Sequence, residues 1–147
     1  MLAALVVSLA VQAPAAPNAE RMIMLTTIGT VIVAREMMSQ IDVPKQVVAR
    51  TPAEWAALWR QHAGESAPPK VDLGTRTIVA IFLGSRSSAG YTVDITGTRE
   101  AGGVLTVEWS ERRPERGSIT AQVLTSPMVI ATIPKFAGEI RFEKAER

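Results

Sequence analysis

The chain contains no cysteine, which removes disulfides, thiolate metal sites and thiol nucleophiles and leaves the redox state of its compartment open. It holds a single histidine, His62. A zinc site draws three or four ligands from histidine, cysteine and carboxylates, so no metal is expected. For His62 the expectation is a cation or hydrogen-bond donor near a helix C-terminus. A one-sided charge is lacking too: 16 basic side chains stand against 14 acidic ones, for a net +2, and no basic stripe supports nucleic-acid binding. No apolar run reaches the roughly 20 residues that a membrane-spanning helix needs. Gly84-Ser85-Arg86-Ser87-Ser88 lacks the glycine after serine that a nucleophile elbow uses. The carboxylates Asp72, Asp94, Glu108 and Glu111 are scattered over strands and turns. The sequence therefore offers no catalytic residue and no cofactor site, and the reading is of a protein that is not an enzyme.

What is present is one domain's worth of chain, 147 residues and 15.8 kDa, enough to bury about two thirds of the unfolded surface without cross-links. Met1 to Ala16 is uncharged, rich in Leu, Val and Ala, and closes on small residues around Pro14, so it reads as a secretory signal peptide. That implies a secreted, periplasmic or cell-envelope location, with residues 18–147 forming one domain. Met22 to Ala34 is apolar again but broken by Thr and Gly; one or two strands fit it best, and a membrane-associated segment is the alternative. Gln46 to Arg50 is a further strand.

One helix is plain. Thr51-Pro52-Ala53-Glu54 places a hydroxyl at the N-cap, proline at the first helical position and glutamate at the third, so cap and box side chains can satisfy free amides. Trp55, Leu58 and Trp59 then form an apolar stripe, Arg60 and Gln61 face away, and Gly64 ends the helix. A helix over about 52–63 should pack across a sheet.

Ile78 to Leu83 is apolar without a break, as in a strand covered on both faces. Tyr91, Val93 and Ile95 alternate with Thr92, Asp94 and Thr96, which predicts a half-buried strand. The spacing suggests that residues 77–98 form a β-hairpin whose tip, Gly84 to Gly90, exceeds the usual two to five residues; both glycines should adopt positive φ. A loop that feeds a strand offers no phosphate cradle at a helix N-terminus. Val104 to Ser110, Ile119 to Leu124 and Met128 to Ile133 are predicted strands, and Ile140 and Phe142 close the sheet. Glu111 to Gly117 reads as a solvated charged turn in which Glu111 and Glu115 offset Arg112, Arg113 and Arg116. The fold class expected is α+β, a mainly antiparallel sheet or small sandwich with one helix on it.

Three segments carry a family resemblance: QVVARTPAEWAALWRQHAG, VDLGTRTIVAIFLGSRSSAGYTVDI and QVLTSPMVIATIPK. In that order they resemble the C-terminal domain family named after PrcB, a subunit of a bacterial cell-surface protease complex, over roughly residues 41–142. This copy has Ser87-Ser88-Ala89-Gly90-Tyr91 where the family tends toward Pro-Thr-Gly-Gly-Tyr. The resemblance implies an exported, non-catalytic module that binds or stabilises a protease or envelope complex. The same loop is loosely similar to the insertion loop of chagasin-type protease inhibitors, which implies inhibition through residues 84–91 as the alternative. Arg86, Ser87, Ser88, Ala89, Gly90 and Tyr91 are the candidate partner contacts, because binding loops occur on rigid scaffolds.

Overall fold

The computed structural model describes residues 29–146; the signal-peptide reading of Met1 to Ala16 and the first part of the Met22 to Ala34 segment lie outside them. Among the described residues, seven strands and one helix follow in the order β1 (Val31–Glu36), β2 (Lys45–Ala49), α1 (Pro52–Ala63), β3 (Arg76–Phe82), β4 (Thr92–Ala101), β5 (Val104–Arg112), β6 (Met128–Pro134) and β7 (Glu139–Lys144). They build two sheets. The first is antiparallel throughout, in the order β1-β6-β3-β2, and the second runs β4-β5-β7. Within the second, β4 and β5 are antiparallel and β7 joins β5 in parallel.

The unbroken apolar run of β3 is explained by this layering. Ile78, Ala80 and Phe82 join Met128 and Ile130 of β6 on one face, against Trp55, Leu58 and Trp59 of α1. Val79 and Ile81, with Val129, Ala131 and Ile133, face Leu105, Val107 and Trp109 of the second sheet. The first sheet is thus the middle of three layers. A fully buried Ile, Val or Phe side chain contributes roughly 1.5–3 kcal/mol, so β3 and β6 carry the densest share of the core.

The predicted hairpin over residues 77–98 does not form. Both edges of β3 are occupied, by β2 and β6, while β4 pairs with β5. The stretch from Leu83 to Tyr91 instead crosses from one sheet to the other, which is why it is longer than a hairpin turn needs. The hairpin is β4–β5, closed where Ala101 pairs with Val104 and Gly102 and Gly103 both adopt positive φ, as a tight two-residue hairpin turn demands.

The helix matches its expectation. Glu54 N–H donates to Thr51 Oγ1 at 3.2 Å, Arg50 N–H donates to Glu54 Oε2 at 3.1 Å, and Gly64 N–H caps the Arg60 carbonyl. Both indoles are satisfied where they enter the core, Trp55 Nε1 by Pro69 O and Trp59 Nε1 by Ser66 Oγ. Side chains also cross between layers. Arg35 of β1 pairs with Asp94 of β4 at 2.5 Å, and Arg50 donates to the carbonyls of Phe136 and Gly138.

Ile119 to Leu124 is a second departure from the sequence reading. No strand forms there; the chain is irregular and exposed. Apolar content alone pointed to a strand, but both edges of β6 and β3 are already filled, so the first sheet has no interior position for it.

Candidate functional site

The link from β3 to β4 is held down rather than held out. Arg86 and Thr125 exchange two backbone hydrogen bonds, of 2.7 and 2.9 Å, Ala89 N–H donates to Ala121 O, and Thr125 Oγ1 donates to Ser88 O. The predicted free tip is therefore an arch lying under residues 121–125. Its glycines are required. Gly84 has φ +77° and a Cβ there would stand 2.7 Å from Pro44 N; Gly90 has φ +94° and a Cβ would stand 2.8 Å from Pro114 Cγ. Positive φ excludes most side chains at these points, and the close neighbours exclude them independently.

Arg86 folds inward along the arch. Its Nη1 donates to Leu83 O and Ser85 O, its Nε donates to Glu111 Oε1 at 2.9 Å, and its guanidinium lies 5.7 Å from the centre of the Tyr91 ring. The Glu111 side chain is only 3% exposed and also accepts from Lys144 Nζ at 2.9 Å, while Lys144 lies over Trp109. Burial alone would raise the Glu111 carboxyl; the hydrogen bonds and charges of Arg86 and Lys144 outweigh it and hold that group below the usual carboxylate range. A carboxylate with two cationic partners ties the arch to the end of β5 and to β7. Sequence reading placed Glu111 in a solvated turn, and its pairing partners, 25 and 33 positions away, explain why it is buried instead.

Of the six predicted contact residues, Ser87 and Gly90 face solvent, Arg86, Ala89 and Tyr91 are half-buried, and Ser88 is buried. The structure brings them together with two stretches that the sequence did not single out. Ser126 N–H donates to Met37 O and Ser39 N–H to Ser126 O, so residues 37–39 run beside 125–126; Ser85 N–H reaches Asp42 O. This end of the sandwich carries Met37, Met38, Val43, Ile119, Val123 and Leu124 as exposed large apolar side chains, with Ile119 fully exposed and Leu124 at 71%. Exposed apolar groups gathered on neighbouring loops mark interaction surfaces more often than scattered ones do. The signal missed in the sequence was that ITAQVL lacks a partner strand.

His62 departs from one of its two expected roles, the helix-end cation. It falls on the same helical stripe as Trp55, Leu58 and Trp59, and its side chain is fully buried, with Trp59 and Phe82 rings 5.0 and 6.2 Å away. Ser39 Oγ accepts the Ile41 amide and lies 2.9 Å from Nδ1, and Nε2 stands 3.4 Å from Glu36 Oε2. The Glu36 carboxylate can only accept and faces Nε2, so the neutral ring is assigned its hydrogen on Nε2, with Ser39 Oγ–H donating to Nδ1. Burial pushes the imidazole below its ordinary value, against the raising influence of Glu36. A serine, an imidazole and a carboxylate are the parts of nucleophilic catalysis. Here the ring is sealed between aromatic side chains, so no substrate reaches it, and the trio instead fastens the end of α1 to the β1–β2 connection.

Among the described residues no group of three His, Asp or Glu side chains is placed to hold a metal ion, and no helix is long and apolar enough to cross a membrane. An apolar hollow of about 520 Å³ lies beside α1, lined by Pro52, Trp55, Pro68, Pro69 and Leu73. A polar hollow of about 450 Å³ at the other sheet is lined by Glu111, Arg112, Arg113 and Lys144. Neither converges reactive groups.

No curated protein and no solved structure matches the chain. The family model described as PrcB C-terminal matches residues 77–134, from β3 to the end of β6. That span holds the two central strands of the first sheet, the arch, the β4–β5 hairpin and the exposed 119–124 segment; over it the chain is similar to the PrcB C-terminal family.

Proposed function

We propose that this protein is an exported accessory module, without catalysis of its own, that binds a protein partner in a protease complex through the loop end of its sandwich. The observation that carries the reading is the group of exposed apolar side chains, Met38, Val123 and Leu124 foremost, borne on loops that are cross-tied to one another. Loops fixed by a scaffold present a surface with little ordering cost on binding. Ser87 and Gly90 contribute the exposed part of the arch, and Arg86 and Tyr91 support it from beneath. The match to the PrcB C-terminal family supports the protease association, and the signal-like sequence Met1 to Ala16 supports an envelope or secreted location.

Affinity capture with the full chain, followed by cross-linking and mass spectrometry, tests this. The wild type should recover a protease or a subunit bound to one, with cross-links to residues 37–43 or 84–91, and a Met38→Glu/Leu124→Glu variant should lose it. Equal recovery by that variant, or cross-links confined to the α1 side, counts against the proposal.

A further inference from the structure

We infer that Gly117 to Leu124 is presented to the cleft of the partner protease as an extended, substrate-like segment, with Ile119 as its anchor; this rests on the accessory-module reading above. Four observations converge on the segment. No helix or strand is assigned from Arg113 to Leu124, and irregular loops of that length inside compact domains are uncommon unless they are used. Ile119 is fully exposed at 103%, so a large apolar side chain stands clear of every packing contact that would otherwise account for it.

The third observation is tethering on the C-terminal side. Ala121 O and the Arg86–Thr125 pair hold the far half of the segment to the arch, while Ser118 N–H and Oγ bond Glu115 O, at 3.0 and 2.6 Å, in a local turn at its start. A segment tied on one side to the scaffold loses less conformational freedom when it docks than a free one does. Fourth, among the described residues the amides of Ile119, Thr120, Gln122 and Val123 donate to no backbone carbonyl. Extended chains are recognised by main-chain pairing of such free groups, with a pocket for alternate side chains supplying specificity. Protease clefts bind substrates in this manner, and the pocket that fits Ile119 is apolar. Arg112, Arg113 and Arg116 are exposed and form no ion pair among the described residues, which favours a cleft with an acidic rim.

If such an enzyme turns the segment over, water adds across the Ile119–Thr120 peptide bond, leaving a carboxylate on Ile119 and an amine on Thr120. If it does not, the segment blocks the cleft. Either outcome is cleft occupancy. Elastase and subtilisin, whose primary pockets accept apolar side chains, serve as probes with the full-length chain. The wild type should slow hydrolysis of a small peptide substrate competitively at about 1 μM, or be cleaved first within residues 117–124. Ile119→Asp should weaken inhibition, or slow that first cleavage, by at least roughly tenfold, whereas Ile119→Leu should retain it.

Because the side chain touches nothing in the fold, both variants should keep the wild-type circular dichroism and melting temperature. First cleavage outside 117–124, or identical behaviour of Ile119→Asp and wild type, overturns the inference. The two proposals separate cleanly: loss of partner capture by Met38→Glu/Leu124→Glu with no effect of Ile119→Asp leaves the accessory role standing and removes the cleft insertion.

Discussion

Two buried titratable side chains, His62 and Glu111, set how the protein responds to acid, and each does so through neighbours distant in sequence. The imidazole of His62 is held neutral by burial, below its ordinary value of 6.5. An unfolded chain would take up that proton first, so the folded form loses stability as pH falls below about 6.5. Glu111 is likewise shifted downward, from an ordinary 4.5. Its contribution is fully present above 4.5 and is lost as pH falls through the lower value of the folded state. Equilibrium unfolding followed from pH 8 to pH 3 should therefore show two successive declines. His62→Gln should abolish the upper one and Glu111→Gln the lower; an unchanged profile in either variant would contradict the assignment. Neither behaviour was legible in the sequence. His62 read as a helix-end cation or hydrogen-bond donor because Glu36, at the end of β1, and Ser39, in the turn after it, are brought to the ring only by the tertiary fold.

At the scale of elements, the arch between β3 and β4 shows how a loop reading can be right in residue and wrong in setting. The sequence placed positive φ at Gly84 and Gly90, and both are found there. It did not show that residues 121–125 lie across the arch, because those hydrogen bonds join positions more than 30 apart in the chain. Gly90→Ala should cost about 2 kcal/mol, from left-handed backbone strain and the approach to Pro114. A shift of the urea midpoint with an unchanged denaturant slope would measure it; no shift would mean that Pro114 and the backbone relax freely. The helix is the opposite case. Thr51, Pro52, Glu54 and Gly64 are local signals acting within a few residues, and the structure uses each of them as the sequence implied.

Over the whole molecule, β3 and β6 form the shared wall of two cores, so their side chains hold the helix layer and the second sheet to a common support. Ile130 points to the helix side and is fully buried. Ile130→Ala should destabilise the protein by about 3 kcal/mol, as large-to-small core changes do, and helix and sheet signals should melt together. Separate transitions by far-ultraviolet and tryptophan signals would show that the layers fold as independent units.

Composition and local pattern alone decided the α+β class, the helix with its caps, the amphipathic β4 and β5, and the need for β3 to be covered on both sides, because these follow from side-chain periodicity and backbone chemistry within short windows. Pairing partners were decided by the tertiary structure. Which strand fills an edge depends on competition among distant segments for the same hydrogen bonds, and that competition placed β3 and β4 in different sheets, set β7 parallel to β5, and left Ile119 to Leu124 outside both sheets. The exposed apolar end of the sandwich exists because of that outcome.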